Sequence, residues 1–177
     1  MAFSVKVIPR ADREAMIKKQ LETPQGEEDF YDFRSQKMRL KVIRIEINLP
    51  VYRMENFRTY TDQKEYVAKE KLDAEYFIKG QELQSVQQKQ HDILKKLSET
   101  RKGSVPLIGD VLEKDGQRER LLISSTGVVI NGNRRLSAMR ELGIELPEHY
   151  VEYPGSLDCS VCPSSLTTKR RAWMAQR

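Results

Sequence analysis

Apolar and polar positions alternate most regularly between Lys41 and Leu49, where Ile43, Ile45, Ile47 and Leu49 are separated by Arg44, Glu46 and Asn48. A period of two marks a strand with one buried face. Pro50 ends it, because proline has no N–H for a ladder. A second pattern starts at Gln81. Leu83, Val86, Gln90, Ile93, Leu94 and Leu97 recur at intervals of three and four, which predicts a long amphipathic helix ending before Gly103. Its other face is glutamine and lysine, and His91 is expected to be exposed. The apolar seam suits a helix lying over a sheet. The alternative is a coiled coil joining a homodimer, for which about two heptads containing Gln90 are short.

The third pattern, Leu121 to Gly143, reads as strand, tight turn and helix. Val128, Val129 and Ile130 form a β-branched run suited to a buried strand. Asn131-Gly132 is a strong turn dipeptide, because both residues tolerate positive φ. Leu136, Met139 and Leu142 then share one helical face, capped at the start by Asn133 or Asn131 and followed by Gly143 at the C′ position. Weaker signals fill the rest. Phe3 to Ile8 is extended, and Met16, Ile17 and Leu21 share a helical face. The acidic, turn-forming stretch Thr23 to Asp29 reads as a linker. Thr61 is the expected N-cap of a helix through Tyr66, Val67 and Ala68, and Asp73 starts a turn that ends near Gly80. Val105 to Leu112 is a short apolar element. Asp115-Gly116 predicts a hairpin returning through Glu119 to Ile123, and Tyr150 to Tyr153 a last strand. Residues 1–36 are thus an N-terminal extension and linker, 37–153 an α+β domain with a small mixed sheet and flanking helices, and 154–177 a basic tail.

Composition narrows the function classes. The chain has 177 residues, 38% hydrophobic and 32% charged, enough for one domain with a modest core. No apolar run approaches the ~20 residues that span a bilayer, and the N-terminus has no signal-peptide apolar region. The expected location is cytoplasmic, with no membrane partner. A net charge of +5 allows nucleotide or nucleic-acid partners without demanding them. Cys159 and Cys162 form one Cys-x-x-Cys. Zinc wants four ligands, and the two histidines, His91 and His149, come from distant segments, so no metal site is expected. The favoured reading is two reduced cysteines, and the alternative is a half-site completed elsewhere. Thr167 to Trp173 is basic with one aromatic. It suits either contact with a phosphate backbone or a frayed terminus.

The candidate chemistry sits at the third pattern. Arg134 and Arg135 occupy the first turn of its helix, where the dipole disfavours cations by roughly 0.3–1 kcal/mol. An arriving anion reverses that balance, since free N–H groups, a glycine and two guanidinium forks then converge on it. The alternative is a solvated pair on an ordinary turn.

Gly132-Asn133-Arg134-Arg135, with Ala138 three residues on, resembles the G-x-R-R-x-x-A signature of the ParB/sulfiredoxin-like superfamily. The apolar run before it and the helix after it also fit, and the resemblance covers roughly Lys37 to Tyr153. It implies a ParB/sulfiredoxin-like α+β fold. It also implies a nucleotide, as a triphosphate with Mg2+, whose phosphates are held by Gly132, Asn133, Arg134 and Arg135, with Arg53 and Arg58 similar in position to arginines near the family's pocket. NTP hydrolysis needs an acid as base or magnesium ligand; Glu46, Asp110 and Glu113 are the candidates. The chain departs from that superfamily's patterns in telling ways. Neither cysteine lies in the motif, against sulfiredoxin activity. Asn133 replaces the glutamate of partition proteins, and Asn131 the aspartate of defence-type D-G-Q-x-R forms. The expected function is therefore nucleotide or phosphate binding with a DNA association. The alternatives are a non-enzymatic DNA-binding module and a protein-interaction domain that has lost activity.

Overall fold

The computed structural model describes residues 3–33, 36–99 and 107–151. Its elements are α1 (Arg10–Glu22), β1 (Gly26–Phe33), β2 (Gln36–Arg44), α2 (Tyr60–Lys69), α3 (Tyr76–Lys79), α4 (Gln84–Glu99), α5 (Ile108–Asp115), β3 (Leu121–Ile123), β4 (Val129–Asn131), α6 (Asn133–Glu141) and β5 (Glu148–Val151). They form a mixed α+β fold around one five-stranded sheet of order β1-β2-β5-β3-β4. All neighbours are antiparallel except β3 and β5, which run parallel. α6 carries the chain from the edge strand β4 back to β5. Ile43, Leu121, Ile123 and Val151 from the strands meet Val86, Ile93 and Leu94 of α4 and Leu136 and Met139 of α6 in one core.

The period-two stretch buries Ile43, Ile45, Ile47 and Leu49 and exposes Arg44 and Glu46. The ladder itself is shifted toward the N-terminus. It ends at Arg44, and Ile47 instead donates its N–H to the Glu145 carbonyl. The expected linker at Thr23 to Asp29 is replaced from Gly26 onward by an edge strand. Acidic residues suit an edge, where one side faces water: Glu27 pairs with Arg39, and Glu28 accepts from Arg120 and the Tyr150 hydroxyl. The N-terminal segment shares the core through Val5 and Ile17. Arg13, rather than Met16, lies on the buried face of α1, because its guanidinium donates to Thr126 O (3.0 Å) and the Glu82 carboxylate (2.8 Å).

Further differences follow from side-chain satisfaction. α2 starts after Thr59, not Thr61. The buried Thr59 hydroxyl donates to Asn56 O and accepts from Gln90 Nε2. His91, expected outside, is buried with Gln87 and Gln90, whereas Leu83 is exposed. The seam of α4 packs on α6, α5 and α2 of the same chain. Asp115-Gly116 ends α5 rather than turning a hairpin. Gly116 is the C-cap at φ +69°, and helix stops and hairpin turns share that requirement. The β3–β4 turn lies at Ser124 to Gly127, with Gly127 N–H bonded to Ser124 O and Ser124 N–H to Val128 O. Gly143 takes φ +70° just after α6, as expected. Gly103, Val105, Tyr153, Cys159, Cys162 and the 154–177 tail lie outside the described residues. Among the described residues no helix is long and apolar enough to cross a membrane.

His149 on β5 makes stability depend on pH. It is fully buried. Its Nδ1 donates to Pro147 O at 2.9 Å, and its Nε2 has no partner. Burial pushes its pKa down to about 4, against ~6.5 in an unfolded chain. The unfolded state therefore binds the proton first. This contribution is fully present above pH ~6.5 and falls by up to about 3 kcal/mol toward pH 4. Urea denaturation at the two ends of that window measures it. His149→Asn keeps a donor for Pro147 O and should flatten the slope; an unchanged slope would place the proton elsewhere.

Candidate phosphate-binding site

Gly132 is the N-cap of α6, with φ +109° and ψ 17°. A Cβ there would stand 2.4 Å from Leu121 Cδ2, so the turn needs glycine for both conformation and space. Neither asparagine caps the helix with its side chain. Asn133 is buried as the first helical residue, and its Oδ1 accepts from the Arg53 N–H at 3.2 Å. The first-turn N–H groups of α6 therefore lack a side-chain cap, and no acceptor within the helix can reach them.

Residues 47–53 run antiparallel to α6. Ile47 meets Glu145 just past the helix end. Arg140 on the last turn holds the carbonyls of Ile47 and Pro50, and Arg53 reaches Asn133 at the first turn. Val51 bridges to Gly127 and Val129 beside β4. Beyond it the chain is irregular, and four glutamines take the place of a ladder. Gln87 accepts from Tyr52 N–H (2.8 Å) and donates to Tyr52 O (3.0 Å). Gln81 donates to the same carbonyl and accepts from Met54 N–H. Gln63 donates to Met54 O and to Gln90 Oε1, and Gln90 donates to Thr59. Buried backbone groups need such partners. These glutamines escaped sequence reasoning; the one visible sign was a polar residue, Gln90, in the seam of α4.

The clamped segment presents Arg53 and Arg58 beside Arg134. The Arg134 Nε is buried and has no hydrogen-bond partner. Burial first, and then the neighbouring Arg58, push the Arg134 guanidinium below its usual pKa. Among the described residues neither Arg58 nor Arg134 has an ion-pair partner. Arg53 pairs with Glu55 at 3.4 Å. Arg135 faces elsewhere: Nη1 donates to Arg120 O at 3.1 Å and Nη2 pairs with Glu119. It ties α6 to the start of β3. The structure thus gathers Gly132, Asn133, Arg134, Arg53 and Arg58. Glu46 is exposed near Glu145, at the opposite end of α6, a 9-residue helix and so about 13 Å long. Asp110 and Glu113 are exposed on α5. No group of three or more His, Cys, Asp or Glu side chains among the described residues is arranged to hold a metal ion.

A second polar cluster lies deeper. Tyr52 Oη is 2.7 Å from His91 Nδ1, and His91 Nε2 is 2.8 Å from Glu141 Oε1, whose other oxygen accepts from Lys95. Burial lowers the His91 pKa and raises that of Tyr52. Burial works against the Glu141 charge too, but hydrogen bonds from Lys95, His91 and the Phe3 N–H hold its carboxyl below the usual range. A neutral His91 therefore accepts from the tyrosine and donates to the carboxylate. The Tyr52 side chain is fully buried, which suits holding the segment against α4 and α6.

No family model, no curated protein and no solved structure matches the chain.

Proposed function

We propose that the chain is a ParB/sulfiredoxin-like domain that binds a nucleotide, or another ligand carrying linked phosphates, at the first turn of α6. One observation carries the reading. Among the described residues Arg134 and Arg58 have no ion-pair partner; Arg134 keeps a buried Nε without a hydrogen bond, feels the charge of Arg58, and sits in the first turn of a helix with no side-chain cap. Like charges held together in a partly dry site are costly, and an anion relieves the cost. The G-N-R-R resemblance points to the same turn. Arg134 and Arg58 take the phosphates, Arg53 and Asn133 fix the loop against the helix, and Arg135 braces the turn through Glu119. Guanidiniums neutralise charge but do not move protons, and Glu46 is at the far end of α6. The reading is therefore one of binding, and Mg2+ in it accompanies the nucleotide.

Calorimetric titration of inorganic tripolyphosphate and the four ribonucleoside triphosphates, with and without Mg2+, tests it. Tripolyphosphate and at least one nucleotide should bind. Arg134→Ala and Arg58→Ala should each weaken binding by about 1.5–3 kcal/mol, or roughly 10- to 150-fold. Arg135→Ala should lower the melting temperature while leaving affinity within a few fold. Absence of binding, or affinity indifferent to Arg134, would overturn the reading.

A further inference from the structure

Beside the two unpaired arginines the surface carries apolar rings that the core does not use. Phe57 is 75% exposed and Tyr60 55% exposed. They lie three residues apart across the turn that ends the clamped segment, with Tyr60 N–H bonded to Phe57 O. That turn is built, because Arg58 N–H donates to Asn56 Oδ1 and Thr59 is fully buried under it. Its outward rings are therefore held in place rather than left over. Lys64, one turn along α2, sits 5.5 Å over the Tyr60 ring. The acids of the same stretch are Glu55 and Asp62, each near a base, Arg53 and Lys96, and Glu65 beside Lys64 on α2. Arg58 has no ion-pair partner among the described residues and its charge bears on Arg134, and Lys64 adds a cation against the Tyr60 ring. Aromatic faces interleaved with cations, on an ordered support, are the chemistry that stacks bases while tracking phosphates.

We propose that this surface, Phe57 and Tyr60 with Arg58, Lys64 and Arg134, binds single-stranded nucleic acid. The bases stack on the two rings and the strand's phosphates run toward the α6 turn. A free nucleotide offers one base; two exposed rings flanked by three cations suit successive nucleotides. A duplex hides its base faces and would meet only the cations. The inference rests on the anion reading of Arg134 and Arg58 and extends it from a phosphate site to a strand path.

Fluorescence anisotropy with a labelled oligothymidylate of about a dozen nucleotides, at low and moderate salt, measures the binding. The strand should bind in preference to a duplex of equal charge. Phe57→Ala and Tyr60→Ala should each weaken strand binding about tenfold while leaving tripolyphosphate affinity unchanged. Unaltered melting temperatures would show that both exposed-ring variants fold. Arg134→Ala should weaken both ligands. Strand binding indifferent to both rings, or duplex bound as well as single strand, overturns the proposal even where tripolyphosphate binding stands. Loss of tripolyphosphate binding in the ring variants would mark a damaged anion site and count against it as well. If wild type binds neither probe, both readings fall.

Discussion

Replacing Arg140 by alanine is expected to cost about 3–5 kcal/mol of folding free energy, the scale of removing one partner from a buried charged network. That is a large share of the ~5–15 kcal/mol typical of a whole domain. The side chain is fully buried on α6 and reaches across to the segment that leads into the site. Its Nε and Nη2 donate to Ile47 O at 3.2 and 3.1 Å, and Nη2 also to Pro50 O at 2.7 Å. The guanidinium lies 4.6 Å over the Tyr52 ring and 5.4 Å over that of Phe3. Alanine would leave two buried carbonyls unsatisfied and a void between two aromatic faces. Arg140→Met separates these effects. It fills much of the void but bonds neither carbonyl, so it should recover part of the loss and still cost about 1–3 kcal/mol per unsatisfied group. Urea denaturation of the three proteins reads the difference. An alanine variant within 1 kcal/mol of wild type would show that residues 47–50 hold their place without this arginine. The contact also bears on function. The carbonyls it grips lie three to six residues before Arg53, so a loosened segment would shift Arg53 and Arg58 away from the first turn of α6.

The elements that could be read from the sequence are those written in local periodicity. Ile43 to Leu49 and Val128 to Gly143 carry patterns set by their own neighbours. The structure buries Ile43, Ile45, Ile47, Leu49, Val129, Leu136 and Met139, but leaves Leu142 half-buried, and Val128 and Ile130 too, because β4 is an edge strand rather than a buried one. The misread elements depend on partners distant in the chain. Gly26–Phe33 is a strand because β2 lies beside it and because Glu27, Glu28 and Phe30 meet Arg39, Arg120 and Tyr150; its acidic composition alone resembles a linker. His91, Gln87 and Gln90 are polar, yet buried, because Tyr52, Glu141, Gln63 and Thr59 satisfy them. Arg13 and Arg140 are buried in a similar way, Arg13 by the Thr126 carbonyl and the Glu82 carboxylate and Arg140 by the carbonyls of Ile47 and Pro50, though its Nη1 has no partner. The site shows the same division. The dipeptide Asn131-Gly132 announced the turn, and the two arginines after it raised the expectation of an anion. Which arginine remains available was not legible, since it is decided by Glu119 and the Arg120 carbonyl capturing Arg135. The role of Asn133 was equally hidden, because its acceptor is committed to a backbone N–H 80 residues away.

Gly132→Ala is expected to destabilise by about 2–6 kcal/mol and to weaken phosphate binding together with stability. Two costs combine. The φ of +109° lies beyond the left-handed basin that alanine tolerates, a strain of roughly 1–3 kcal/mol. The new Cβ would stand 2.4 Å from Leu121 Cδ2. Leu121 is fully buried in the core and has little room to turn aside, so overpacking adds roughly 1–3 kcal/mol. The double variant Gly132→Ala with Leu121→Ala tells the two apart. Truncating Leu121 removes the clash but not the strain. The pair should therefore be less destabilised than the sum of the singles by ~1 kcal/mol or more; strict additivity would mean that backbone strain acts alone. Affinity gives a second view. Gly132 determines where the first-turn N–H groups of α6 point, whereas Leu121 packs against Gly132 with an apolar side chain that offers no group to an anion. At a temperature where all variants are folded, tripolyphosphate binding should fall with Gly132→Ala and persist with Leu121→Ala. If both singles bind as wild type does, the helix N–H groups are not part of the site and the phosphates rest on Arg58 and Arg134 alone.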